Sequence, residues 1–355
     1  MSVAEAPNAT KGPNDTQPRD KSVVARIKDY VDAHLTKLPT AAAVVIFIAM
    51  VIYGEMSYGR IVQYNTLSNL LINNAHLIIM AIGGTLPILT GRGGIDLSVG
   101  SIIAFSSVSG VMLANAGFNS ALVILIMIGI GTVIGTFAGV LIQFFNVQPF
   151  IATLSMMFLA RGLASVLSTT PERLDDESSI RSLATEYKII DGPKVNDLIV
   201  TPGVLIALVI VVVAFFVLHR TRFGRTVYAM GGSQQSAQLM GLPVFGTKLA
   251  VYVLSGTLSG IAAVVYTSRL GIAQNITGEG WELNAIAAVV IGGTLLTGGT
   301  GYVLGSVVGA LVLGLMNVLI TRDGTIPPEA TTIITGGILL IFVLLQRLVA
   351  IKKQE

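Results

Sequence analysis

The residues best able to do chemistry in this chain are polar side chains set among apolar ones. The stretch Gly91-Arg92-Gly93-Gly94-Ile95-Asp96-Leu97-Ser98-Val99-Gly100-Ser101 places four glycines, an acid, a base and two serines between long apolar segments. Glycine lets a backbone turn sharply or approach a neighbour closely. Inside a bilayer, irregular polar backbone is tolerated only where protein buries it or where it lines a wet path. Asp96 is the only acid between Glu55 and Glu172. Ahead of an apolar run it reads as a helix N-cap, as a gate or substrate contact, or as both. Asn73 and His76 lie three apart and share a helix face. With Asn317 they are polar groups inside apolar runs. Such groups face a bundle interior or a wet cavity, or hydrogen-bond to a neighbouring helix. Arg161 lies in another apolar run, deep enough to call for a structural partner.

Enzymatic patterns are missing. There is no G-x-x-x-x-G-K-[ST] loop for a nucleotide phosphate, no H-E-x-x-H and no G-x-S-x-G elbow, and His34, His76 and His219 are far apart in sequence. The chain has no cysteine, which excludes disulfides, thiol catalysis and cysteine metal sites. No catalytic or metal-ligating set is expected.

The elements that would position these residues are membrane spans. Of 355 residues, 53% are hydrophobic and 12% charged, and mean hydropathy is +0.78. A soluble domain carries roughly 25% charge. Ten runs approach the roughly 20 residues that cross a hydrocarbon core: 39–58, 67–89, 97–116, 120–144, 149–169, 202–219, 248–269, 283–297, 302–320 and 331–350. Polar residues interrupt 67–89 and 283–297. The expected class is an all-α polytopic membrane protein of about ten transmembrane helices. Residues 1–38 form a polar tail without a signal-peptide core, and Val23–Leu38 suits an amphipathic surface helix. Residues 351–355 form the other tail.

Charge placement orients the spans. With the N-terminus inside, fourteen Lys and Arg fall on inside segments and six outside, which puts both termini in the cytoplasm. Residues 170–201 then form a long external loop, acidic on balance and structured. Residues 220–247 form a long cytoplasmic loop. In it Ser233 suits a helix N-cap and Gly241 the C′ position of a short helix, Ser233–Met240, with Pro243 beyond. A helix that short needs a partner surface.

Two stretches echo each other. Ile82-Gly83-Gly84-Thr85-Leu86 recurs as Ile291-Gly292-Gly293-Thr294-Leu295, and Gly93-Gly94…Gly100-Ser101 as Gly298-Gly299…Gly305-Ser306. Both copies fall at an inside turn, as in a parallel internal repeat. Gly131, Gly135 and Gly139, and likewise Gly301, Gly305 and Gly309, put small residues on one helix face for close packing.

At this point the residues match a known family. The matching blocks are Gly93–Ser101, Gln148-Pro149-Phe150-Ile151-Ala152-Thr153-Leu154, Arg222-Phe223-Gly224 with Tyr228–Gly232, and Glu282–Thr294. In that order, they resemble a membrane subunit of a bacterial ABC sugar importer, of the ribose, xylose, galactose and galactofuranose permease group. His219–Gly224, Asp323-Gly324-Thr325 and Leu345-Gln346-Arg347 lean towards the galactofuranose type.

The resemblance implies a type II-like permease in the cytoplasmic (inner) membrane that moves a monosaccharide. It implies a second permease subunit, identical or a paralogue, an ABC ATPase that carries ATP and Mg, and an extracytoplasmic sugar-binding protein. No cofactor in this chain and no nucleic acid are implied. Gly232, Ser233, Gln234, Gln235, Ser236, Ala237, Gln238, Leu239, Met240 and Gly241 would form the coupling helix to the ATPase. Gln234-Gln235-Ser236-Ala237 lacks the acid often found there in importers. Asn73, His76, Asp96, Ser98, Phe150, Thr153 and Asn317 are the path or gate candidates. The alternative is a stand-alone secondary transporter or facilitator. Proton coupling would require acids at mid-membrane, and none is expected near a span centre.

Overall fold

The computed structural model describes residues 38–175, 178–190, 197–325, 327 and 329–352. The expected tail helix ahead of residue 38, and the last residues of the C-terminal tail, lie outside them. Twelve α-helices are described: α1 Leu38–Tyr58, α2 Tyr64–Leu89, α3 Val99–Asn115, α4 Ser120–Gln143, α5 Pro149–Leu167, α6 Pro202–Arg220, α7 Arg222–Gly232, α8 Gln234–Leu239, α9 Val244–Leu270, α10 Trp281–Ile291, α11 Val303–Asp323 and α12 Ala330–Lys352. Seven of these (α1, α2, α4, α5, α6, α9 and α11) are long and apolar enough to cross a membrane, and α3, α10 and the apolar part of α12 are shorter. Each expected span therefore has its helix, and the chain is an all-α multi-pass membrane protein.

Two spans are discontinuous. α10 has 11 residues, about 16 Å at 1.5 Å per residue, against a core of about 30 Å. The apolar run 283–297 continues as turns after Ile291 because Gly292 and Gly293 break the helix. Freed carbonyls at such a break need partners within the protein. Thr40 Oγ1 donates to the Gly292 carbonyl at 3.0 Å. Gln346 Nε2 donates to the carbonyls of Val290 at 3.3 Å and Thr294 at 3.1 Å. The entry to α3 is interrupted too. Residues 95–98 run without regular structure before the helix starts at Val99.

The core is assembled on small residues. Gly131, Gly135 and Gly139 of α4 lie against Gly256, Gly260, Tyr252 and Leu249 of α9, so closely that an added Cβ would meet backbone. Gly305 and Gly309 of α11 lie as closely against Gly292 and Ala288. Gly301 does not share that face: it precedes α11 and packs on Thr294. Around these contacts α2, α9, α10 and α11 bury the main apolar clusters.

The loops gather at two ends. At one end, Gly91 meets Gly231, Thr297 and Gly298, and Gly299 N donates to the Leu89 carbonyl at 3.0 Å. The two echoing stretches pack on each other there, and Thr85 Oγ1 lies 2.8 Å from Ser306 Oγ. The opposite end carries the described residues of 170–201, which hold short strands and a turn. β1 (Glu172–Arg173) pairs antiparallel with β4 (Ile272–Ala273), and β2 (Tyr187–Ile190) with β3 (Leu198–Val200). A 3₁₀ turn covers Ser179–Ala184. Lys188 and Asp197 form an ion pair at 2.6 Å.

Candidate functional site

The expected coupling loop holds two helices rather than one. α7, ahead of the expected short helix, is the additional one. Thr221 Oγ1 caps its start by accepting from Gly224 N at 3.3 Å. Gly224 lies so close to the Leu218 backbone that no side chain would fit there. α7 buries Thr226, Val227 and Met230. Tyr228 donates its hydroxyl to the Gly301 carbonyl at 2.8 Å. Burial, with Tyr302 nearby, pushes that hydroxyl up to about 12, so it stays a donor near neutral pH.

α8 has the anticipated caps. Ser233 Oγ accepts from Ser236 N at 3.2 Å. At the other end Gly241 takes φ +74°. Gly241 N bonds the Gln238 carbonyl and Leu242 N the Ala237 carbonyl, the paired bonds of a Schellman motif. Ala237 is fully buried with Met230 and Val244. Leu239 and Met240 instead stand 84% and 67% exposed. Phe245, which packs edge-on to Phe144 at 4.8 Å, and Phe145 are also exposed at this end. Exposed large apolar side chains grouped on one loop surface mark an interaction face. Arg92 reaches Gln234 Oε1 at 3.5 Å, which ties the glycine-rich stretch to α8.

Asp96 lies deeper than an end turn. It is 3% exposed. Its Oδ1 accepts from Ser98 N at 2.9 Å and Ser98 Oγ at 2.6 Å, and its Oδ2 from Ser255 Oγ at 2.7 Å. Ser255 is the twelfth of the 27 residues of α9. Two sequence expectations change. The N-cap of α3 is Ser98, and Asp96 binds two residues ahead of it as an Asx turn. An acid does lie near a span centre. It is held by three donors from its own chain, which offsets the cost of burying a polar group there. Thr153 Oγ1 donates to the Pro149 carbonyl at 2.9 Å and lies 3.2 Å from the Ile95 carbonyl, which joins α5 to this network. Phe150 is separate, half exposed on α5.

The other path candidates share a cavity. Asn73, His76 and Asn317 line a space of about 500 Å³ with Asn69, Asn74 and Arg322, between α2 and α11. His76 closes one side by packing on Trp281 and Tyr266, with ring centroids 4.7 and 5.3 Å apart. Beyond those rings Trp281 and Tyr266 line a second cavity of about 390 Å³ with Gln274 and Glu279. A third, about 350 Å³, lies beside α5 and contains Arg161, Ser165, Asn275, Glu279 and Glu282. Arg161 has the structural partners its depth called for: Nη1 donates to the carbonyls of Asn275 at 2.7 Å and Thr277 at 2.6 Å.

Sequence reasoning missed Ser255, Gln346 and the Glu282 cleft. Ser255 and Gln346 sit inside apolar runs, where a lone polar residue was the available signal. Among the described residues no group of three or more His, Asp or Glu is placed to hold a metal ion.

Comparison with known proteins follows the same outline. The family profile described as "Branched-chain amino acid transport system / permease component" matches residues 66–344. The chain is 54% identical over 313 residues to the fructose import permease protein FruG of Bifidobacterium longum (strain NCC 2705), which covers 88% of this chain and 91% of that protein. It is 38% identical over 316 residues to the inner membrane ABC transporter permease protein YjfF of Escherichia coli (strain K12), covering 87% and 92%. It is 38% identical over 303 residues to the ribose import permease protein RbsC of Bacillus subtilis (strain 168), covering 85% and 90%. No solved structure matches the chain significantly.

Proposed function

This chain belongs to the family of ABC-importer permease components that includes the sugar permeases, and from that premise we propose that it carries a monosaccharide across the cytoplasmic membrane under the drive of a separate ABC ATPase. The observation that carries the proposal is the α8 surface. Leu239 and Met240 project from a well-capped helix with no cover of their own. A partner groove at the membrane surface would bury them. ATP and Mg belong to that partner, and this chain supplies no cofactor. The glycine-rich end is then cytoplasmic, in agreement with the excess of Lys and Arg on its loops. The cavities of the opposite end face the sugar-binding protein. A second permease subunit, identical or paralogous, completes the path.

The 54% identity to a fructose permease makes fructose the first sugar to test, with ribose and galactofuranose after it. The alternative is a stand-alone transporter or facilitator. Asp96, the acid a proton-coupled mechanism would need, already accepts three hydrogen bonds from Ser98 and Ser255.

The docking claim is tested by co-purifying the permease with its ATPase. Leu239→Ser with Met240→Ser is expected to cut ATPase recovery at least tenfold while thermal unfolding of the permease is unchanged. Ala237→Asp is expected to fail earlier, because it places a charge in the packing of α7, α8 and α9. Full recovery of ATPase by the Leu239/Met240 double variant would remove α8 as the docking surface.

A further inference from the structure

The cleft beside α5 has more hydrogen-bonding capacity than the chain uses. Arg161 spends its Nη1 on two backbone carbonyls and so fixes the loop ahead of α10. Asn275 Nδ2 donates to Ser165 Oγ at 3.1 Å. Glu279 and Glu282 line the same space. Glu282 Oε2 is shut off from solvent and has no hydrogen-bond partner. A buried carboxylate oxygen without a donor is costly. Its position in the first turn of α10 offsets part of that cost through the helix dipole, but leaves the acceptor empty.

The location sharpens the point. Gly100, in the first turn of α3, lies against Gly278 and the Glu282 carboxylate with no room for a Cβ. The two interrupted spans therefore begin side by side at this cleft. Discontinuous helices that start within a membrane bundle are where transported solutes are held. Arg161 is the thirteenth of the 19 residues of α5, about 9 Å along the helix from Leu167, so the cleft lies toward the cavity-bearing end of the bundle.

The donor set specifies the ligand chemistry. Two carboxyl groups supply hydrogen-bond acceptors and disfavour an anion. The Arg161 guanidinium, tied to two backbone carbonyls, offsets part of their charge. Exposed Phe158 offers an apolar wall. A neutral molecule with several adjacent hydroxyl donors and a C–H face satisfies all of these. We infer that the cleft between α5 and residues 274–282 is a sugar-contact site of the permease itself, in which the polar groups lining it, Ser165, Asn275, Glu279 and Glu282, exchange hydrogen bonds with neighbouring hydroxyls of the passing monosaccharide. This rests on the sugar-import reading above and adds to it a place in this chain.

The chain reports on the site itself, because Trp281 is its one tryptophan and adjoins Glu282. The experiment titrates the full-length permease in lipid nanodiscs, without ATPase or binding protein, with D-fructose, D-ribose and D-galactose. L-leucine is the control, and Trp281 emission is the readout. A saturable millimolar response to at least one sugar and none to leucine is expected. Glu282→Gln weakens it tenfold or more without lowering the unfolding temperature, and Ser165→Ala weakens it about threefold. Absence of a saturable sugar response, a response to leucine alone, or responses unchanged in both variants overturns the inference. ATP-driven uptake by the complete transporter separates this from failure of the wider reading. Uptake by wild type with unaltered KM and sugar preference in Glu282→Gln sinks the cleft alone. No sugar uptake by wild type sinks the function.

Discussion

At the glycine-rich end, Gly91, Gly231, Gly298 and Gly299 bring two loops and the end of α7 together so closely that no side chain fits between them. At the opposite end, cavities of about 350, 390 and 500 Å³ separate α2, α5, α10 and α11 and are lined by amides, hydroxyls and carboxylates. The first end joins loop to loop through backbone, as Gly299 N does with the Leu89 carbonyl. The second holds polar side chains around open space. Asp96 lies between the two regions. Its loop begins at the closed end, and its carboxylate grips the middle of α9.

The sharpest way to break this comparison is to place a valine at each end. Gly231→Val drives a branched side chain into the backbone of Gly299 and Leu89. It is expected to cost roughly 3 kcal/mol or more and to abolish the monodisperse folded permease in size-exclusion profiles. Asn317→Val, on the cavity wall, is expected to leave that profile intact. Equal tolerance at the two sites would erase the distinction between a packed end and an open one.

The next effect in size concerns the link between them. Asp96→Ala strands Ser98 N and the Ser255 hydroxyl in a buried site, an expected loss of roughly 3 kcal/mol, read as a lower unfolding temperature. Asp96→Asn keeps one acceptor for Ser98 and gains a donor for Ser255, so it is expected to lose about 1 kcal/mol. Ser255→Ala combined with Asp96→Ala is expected to cost less than the sum of the two singles, because both remove one interaction. A smaller loss, about 1 to 2 kcal/mol, is expected for Gln346→Leu, which leaves the carbonyls of Val290 and Thr294 without that donor at the broken end of α10.

The spans were legible because hydropathy reports burial in lipid directly, and α8 because Ser233 and Gly241 carry their capping geometry in their residue types. The length of α10 was not. Residues 283–297 read as one largely apolar run, and only packing of Gly292 against Gly305 shows where the helix stops. α7 is masked in the sequence by its glycines, of which Gly224 and Gly231 serve close approach to neighbouring backbone. The stretch Gly91–Ser101 was identified correctly as special but assigned to one end. The partner that draws Asp96 to mid-span is Ser255, 159 residues away in sequence. For the same reason Glu282 reads as a loop acid until Arg161 and Gly100 are placed beside it. Asn73, His76 and Asn317 were correctly grouped as polar residues among apolar ones, but only the fold shows that they share one cavity.

The central claim is that this chain moves sugar only as part of an ATP-driven assembly. Uptake of labelled fructose, and of ribose in parallel, into proteoliposomes tests it most directly. The permease is reconstituted alone, then with its ATPase, binding protein and ATP. The account predicts uptake only in the complete mixture, and none when ATP or the ATPase is withheld. Sustained sugar uptake by the permease alone would contradict it.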